Sequence, residues 1–263
     1  MSQKKERHIL ALSGGKDSAA LAVYMREKYP EIELEYVFTD SGCELPETYE
    51  YLDRIRAVLN IPLTIIKPKR DFDYWLKYFN GVLPSVQNRW CTRLLKLEPF
   101  ESHIGQHKIR SYVAIRADEQ RKGYISKNEN VKPQYPFVED GVTLGDVEQI
   151  LLNSGLSLPR YYTWRKRSGC YFCFFQTDVE WAGLKVHHPD LFERACAYEE
   201  NHSDGRVYTW RQSKQHQDPS LRALTDTGST VHHATKKQNK LVDLLSVDQI
   251  NIDMENCKNV LIK

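Results

Sequence analysis

At 263 residues the chain has room for one domain with an appendage, or for two small domains. A hydrophobic fraction of 41% can build a sizeable core, and a net charge of +2 is too balanced to announce a nucleic-acid binder, although a balanced total can hide a local basic patch. Met1 to Arg7 is polar and basic, and the apolar run after it, Ile9 to Leu12, is too short for a signal-peptide core or a membrane helix. A cytoplasmic protein without membrane association is expected. The cysteines at 43, 91, 170, 173, 196 and 257 should then be reduced, metal-bound or redox-active rather than structural disulfides.

Taken in chain order, His8 to Leu12 reads as a short buried strand. Ser18 to Tyr29, rich in Ala and Leu, reads as a helix ended by Pro30. Leu34 to Thr39 is a second strand, Pro46 to Asn60 an amphipathic helix with proline at its start, and Leu63 to Lys67 a third strand. The alternation predicts a parallel sheet with crossover helices, an α/β fold. A later strand is expected at Ser111 to Ile115. The polar stretch Lys122 to Pro136 reads as a loop, and Val147 to Asn153 as a helix with Thr143 and Asp146 spaced like a capping box. From about His187 strand character is lost, and Ser213 to Asn239 is rich in Gln, His, Ser, Thr and Lys. The expected division is residues 1–186 as the sheet domain and 187–263 as a helical or irregular, partly mobile appendage.

The first strand runs into the first helix through Ser13-Gly14-Gly15-Lys16-Asp17-Ser18. Ligands of parallel sheets bind at the carboxyl ends of strands, where this loop lies. Two glycines let backbone N–H groups approach an anion, the helix adds its positive end, and Lys16, Ser13 and Ser18 add donors. Polyphosphate binding is the chemistry implied; the bland alternative is a Gly-Gly turn beside a solvated lysine. Neither GxxxxGK[ST] nor GxGxxG is present here. The hexapeptide resembles the SGGKDS loop of the PP-loop ATP pyrophosphatases, which split ATP between the α and β phosphates.

Three further segments extend that resemblance toward the phosphoadenosine phosphosulfate reductase-like family. Asp40-Ser41-Gly42 followed by Pro46-Glu47-Thr48 is similar to the family's segment bordering the nucleoside, which implies Asp40 and Ser41 as nucleotide contacts. An Asx turn closing the strand is the alternative for Asp40. Arg116 and Glu119 match the family's arginine-bearing strand end, while Ala114 and Gln120 depart from it and Arg121 is out of register. An arginine there can grip a phosphate bidentately, or can make a surface ion pair with Asp118 or Glu119. Trp90-Cys91-Thr92 with Lys96, and Cys170-x-x-Cys173, are the third match.

Three thiols from two segments can occupy three corners of a tetrahedron, a pattern suited to zinc or iron–sulfur. The resemblance implies Cys91, Cys170 and Cys173 as ligands of a [4Fe-4S] cluster, with zinc or no metal as alternatives. The fourth iron would be open or held by Cys43 or Cys196. Cluster-bearing adenylyl-sulfate reductases show a Cys-Cys pair where this chain has Trp90-Cys91. Cys43 reads as a reactive thiol, a fourth ligand or a small buried residue. Arg160 to Arg167 interleaves cations with aromatics, which suits base stacking, an anionic substrate or a solvated basic face.

The resemblance implies a PP-loop, adenine nucleotide alpha hydrolase-like core with catalytic Lys16, Asp17 and Arg116, binding ATP and Mg²⁺. The expected reaction is adenylation of an acceptor for sulfur transfer, with a nucleic acid as one acceptor. A sulfur donor protein or thioredoxin is an expected partner, and oligomeric state is left open. A sulfonucleotide reductase and a non-catalytic nucleotide-binding subunit are the other readings. Reductases carry a Glu-Cys-Gly-Leu-His motif; Glu255-Asn256-Cys257-Lys258 does not match it, though Cys257 remains a candidate nucleophile.

Overall fold

The computed structural model describes residues 6–120, 128–200, 206–211 and 220–224. The elements in order are β1 (Arg7–Ala11), α1 (Lys16–Lys28), β2 (Leu34–Thr39), α2 (Pro46–Leu59), β3 (Leu63–Ile66) and α3 (Phe72–Tyr78). Next come α4 (Trp90–Thr92), a π-helical turn (Arg93–Leu97), α5 (Glu98–Ile104), β4 (Ile109–Tyr112) and β5 (Val131–Gln134). Then follow α6 (Pro136–Glu139), α7 (Leu144–Asn153), a 3-10 turn (Arg160–Thr163), α8 (Asp178–His187), α9 (Pro189–Glu200) and a 3-10 turn (Leu221–Ala223).

The strands form one all-parallel sheet in the order β3-β2-β1-β4-β5. The chain winds outward from β1 through β2 to β3, then returns to β4 on the other side. β1 is therefore central, and the direction of winding reverses at its carboxyl end. In open α/β sheets that reversal opens a crevice for ligands. The glycine loop leaves β1 at this point.

Alternation along the strands divides the core. Leu10, Tyr36, Phe38 and Tyr112 face α1, α2 and α7 with Leu21, Ile55 and Leu151. Ile9, Val37, Ile109 and Val131 face Ile104 of α5. A third cluster is aromatic: Phe72, Trp90, Tyr161, Phe172, Trp181, Tyr198 and Trp210 pack with Cys43 and Cys196. It joins residues on both sides of position 187, and α8 packs directly on α9.

The α/β architecture agrees with the expectation, and the first three strands and two helices lie within two residues of their predicted ends. The stretch 122–136 does not. Residues 121–127 fall outside the described set, but Val131–Gln134 forms β5, paired with β4 through Ser111–Pro133 and its neighbours. Pro133 hid this strand from the sequence, because proline argues against a ladder. An edge strand tolerates it, since one side of its backbone goes unpaired. Among the described residues no helix is long and apolar enough to cross a membrane.

Candidate functional site

The glycine loop is built by close approach. Gly14 has φ +70°, and a Cβ there would lie 2.4 Å from Thr48 Cγ2. A Cβ on Gly15 would lie 2.6 Å from Ser168 Oγ. Both positions therefore require glycine, the first for conformation and both for space. Ser18 Oγ donates to the Gly15 carbonyl (3.0 Å) and accepts the Ser13 N–H (3.1 Å), closing the loop on itself. Gly15 is the N-cap of α1 and offers no side chain to the first turn, so the positive end of a 13-residue helix is met, among the described residues, only by the Tyr162 hydroxyl, a neutral group 3.4 Å from the Lys16 N that an anion can displace.

Cations surround that end. Lys16 Nζ lies 3.2 Å from Asp17 Oδ2, and Arg116 Nη1 lies 2.7 Å from Asp17 Oδ1. Arg116 also pairs with Asp118 (2.9 Å) and Glu119 (3.1 Å). Asp17 thus holds both cations side by side. Glu148 of α7 faces the same group, and burial raises its pKa against the opposing pull of Lys16 and Arg116.

Asp40 and Ser41 lie at the end of β2. Asp40 Oδ1 accepts from the Gly42 N–H (2.8 Å) and Tyr49 hydroxyl (2.7 Å), the Asx-turn arrangement. Ser41 Oγ donates to Glu44 Oε1 (3.0 Å). Between β1, β2 and β4 opens a cleft of about 240 Å³ lined by Leu12, Ser13, Phe38, Thr39, Lys96, Phe100 and Val131. Pockets for drug-sized ligands run from roughly 300 to 1,000 Å³. This one suits a base, leaving phosphates outside over the loop. Larger clefts of about 510 Å³ and 490 Å³ lie at the amino ends of the strands and beside α3. Neither touches the loop, and sheet position favours the smaller cleft.

The cysteine segments meet beside it. Cys170 pairs with Glu44 in an isolated antiparallel bridge, and the Tyr171 N–H donates to the Cys43 carbonyl (2.9 Å). The Cys170 thiol donates toward Glu44 Oε1 (3.6 Å) and lies 3.4 Å from Ser41 Oγ. Lys96, on the π-helical turn, reaches Glu44 Oε1 at 3.0 Å. That widened turn aims Lys96 into the site, a common use of π geometry. Glu44 is buried, and its Oε2 has no hydrogen-bond partner. Burial opposes the charge on Lys96, but Glu44 and the nearby thiols outweigh it and raise its pKa.

Cys43, Cys91, Cys170 and Cys173 carry free thiols. Burial, reinforced by Glu44, pushes the Cys43 thiol up to about 12 and raises Cys170 well above the ordinary value. Burial also raises Cys91, with Cys173 near enough to add to the effect. Cys43 is a buried core residue at the edge of the site. Among the described residues no three His, Cys, Asp or Glu side chains are arranged to hold a metal ion. As placed, the Cys170 thiol turns toward Ser41 and Glu44. Cys257 lies outside the described residues.

Sequence reasoning missed what braces the loop. Of Arg160 to Arg167, Tyr161, Tyr162, Trp164 and Arg165 are buried. A stretch read as base-stacking, as holding an anionic substrate or as a solvated basic face is in large part core. Tyr161 and Tyr162 reach the glycine loop, and Arg165 binds carbonyls of the CxxC turn. Nothing local in sequence marks such long-range contacts.

Residues 7–136 match the family of the phosphoadenosine phosphosulfate reductase domain. An uncharacterized protein of Methanocaldococcus jannaschii is 26% identical over 195 residues, covering 70% of this chain and 45% of that protein. An uncharacterized nin region protein of Escherichia phage lambda is 31% identical over 144 residues, covering 44% of this chain and 50% of its own length. The chain spans about half the length of these curated relatives. The phosphate complex of a phosphoadenylyl-sulfate reductase from Candida auris superposes with a TM-score of 0.51 at 14% identity, covering 64% of this chain and 82% of that one. At that identity the likeness speaks for the fold.

Proposed function

Since residues 7–136 match the phosphoadenosine phosphosulfate reductase domain family, we propose that the chain is an enzyme of PP-loop type that binds ATP at the glycine loop and splits it into AMP and pyrophosphate, adenylating an acceptor for sulfur transfer. The observation that carries this reading is the N-terminus of α1, flanked by Lys16 and Arg116 and adjoining the base-sized cleft. The base enters between Phe38 and Phe100, and the phosphates lie over Gly14 and Gly15. Ser13 and Ser18 hold the loop's shape, and Asp40 and Ser41 border the nucleoside.

A polyphosphate offers Lys16 and Arg116 several charged oxygens in place of the one aspartate they share, and Arg116 can keep its pairs with Asp118 and Glu119. As the two cations turn to it, Asp17 is released and can hold Mg²⁺ through its carboxylate. When bound, that ion neutralises phosphate charge. An acceptor oxygen attacks the α-phosphorus, the bond to the bridging β-oxygen breaks, and pyrophosphate departs. Donors fixed around the developing charge supply the rate. A sulfur nucleophile then displaces AMP from the adenylated acceptor. The Cys170 end of the site lies where such a sulfur would arrive, from a donor protein or a persulfide. A nucleic acid is the proposed acceptor class.

No step is routed through a metal at the cysteines. A [4Fe-4S] cluster or zinc on Cys91, Cys170 and Cys173 would require Cys170 to leave Glu44. Anaerobic purification with a visible spectrum and metal analysis tests it: brown iron-containing protein, bleached by Cys170→Ala, supports the cluster, equimolar zinc supports zinc, and neither metal sinks both.

The matched family itself motivates the second reading, a sulfonucleotide reductase that releases sulfite. Incubation with ATP and Mg²⁺ should yield AMP and pyrophosphate. Sulfite from phosphoadenylyl-sulfate and thioredoxin, without AMP from ATP, would transfer the reading to the reductase. Nucleotide binding with neither product would favour a subunit that only senses nucleotide.

A further inference from the structure

One short stretch touches both halves of the site. The hydroxyl of Tyr161, a fully buried residue, donates to the Gly14 carbonyl at 2.7 Å. The Tyr162 hydroxyl accepts the Lys16 N–H at 3.4 Å, in the place an anion would take, and its ring lies 5.0 Å from Lys16 Nζ. Ser168 fills the space that a Cβ on Gly15 would need. Arg165, also fully buried, donates to the carbonyls of Gly169 (3.1 Å) and Cys170 (2.9 Å), and its Nε has no hydrogen-bond partner.

An incoming phosphate competes with the Tyr162 hydroxyl for the Lys16 N–H and with its ring for the ammonium. A charged acceptor prevails over a neutral hydroxyl and a ring face. The rings of Tyr161 and Tyr162 pack at 4.8 Å, and close-packed interiors pass displacement on. The rigid guanidinium fork of Arg165 then ties the shift to the start of the CxxC turn.

We infer that Tyr161, Tyr162 and Arg165 form a positioning strut between the nucleotide loop and the thiol turn, so that filling the loop changes the accessibility of Cys170. The inference rests on the nucleotide reading above and deepens it.

The test uses the full chain. N-ethylmaleimide labelling of Cys170, resolved from the other cysteines by peptide mass spectrometry, is followed with and without a non-hydrolysable ATP analogue and Mg²⁺. Calorimetry on the same sample measures binding. The analogue should change the Cys170 labelling rate at least about fivefold, the lower end of site-to-site coupling. In Arg165→Lys that binds the analogue, the change should shrink below about twofold; Tyr161→Phe, which removes one hydroxyl, is the second variant should the first not fold. Loss of binding in a folded Arg165→Lys also supports the strut, because coupling is reciprocal and this guanidinium holds only thiol-turn carbonyls among its described side-chain hydrogen bonds. A wild-type chain that binds with unchanged labelling overturns the strut alone. So do variants that bind and keep the full response, since the nucleotide would then be covering Cys170 directly. Absence of wild-type binding overturns the nucleotide reading along with it.

Discussion

Gly14 and Thr48 illustrate how tightly individual residues define the site. A methyl group at 14 meets Thr48 Cγ2 and must also adopt a positive φ. Gly14→Ala should therefore lower stability by about 1–3 kcal/mol, read from urea unfolding. Gly15 lacks the strained φ, so its restriction comes from Ser168 alone. Adding Ser168→Gly to Gly15→Ala should restore much of any lost affinity, whereas no such relief is expected for Gly14→Ala. Lys96 shows the same logic for charge. Lys96→Met leaves Glu44 buried beside Cys170 without its cation. Breaking a fully buried pair costs about 3–5 kcal/mol, and the lysine side chain is 39% exposed, so a loss of about 2–3 kcal/mol is expected. Pairing it with Glu44→Gln should recover most of that loss, measured as a double-mutant cycle.

Elements hold these residues in place through their ends. The C-terminal turn of α1 is tied to α6 by Asp140, which accepts from the Tyr24 hydroxyl (2.7 Å) and pairs with Lys28 (2.6 Å). These partners, Lys28 first, hold the Asp140 carboxyl below the ordinary aspartate range. A depressed acid contributes stability that is complete above its unfolded pKa and is lost as pH falls through the folded value. Asp140→Asn should therefore destabilise the chain near neutral pH and lose its effect in strong acid. Denaturant midpoints across that range check this, and an equal effect at both ends would contradict it.

Much of the sheet was legible because β1, β2 and β3 are apolar runs broken by a glycine loop and a proline-started helix. β5 was not, since Pro133 and polar neighbours carry no strand pattern and only pairing to β4 makes them one. The phosphate loop was legible because glycines and Lys16 are local in sequence. Its braces were not: Tyr161 reaches back to Gly14 across the fold, and Arg165 is buried with its two terminal nitrogens on the carbonyls of Gly169 and Cys170. Asp40 reads from sequence as a nucleoside contact or as an Asx turn closing β2, and its carboxylate makes the Asx-turn bond to the Gly42 N–H.

The same long-range packing governs the molecule as a whole. Phe192, Cys196, Tyr198, Trp210 and Leu221 share the aromatic cluster that supports Trp90 and Phe172. A chain cut after residue 186 should expose that face, and we expect it to melt at lower temperature than the full chain and to bind an apolar dye.

The central claim is that Gly14, Gly15 and Lys16 grip the phosphates of ATP. Calorimetric titration of ATP with Mg²⁺ into wild type and Gly15→Asp tests it most directly. Saturable one-to-one binding that weakens at least about tenfold in the variant, a difference of about 1.4 kcal/mol, is the expected result. Equal affinity in the two proteins, with the variant folded, would contradict it.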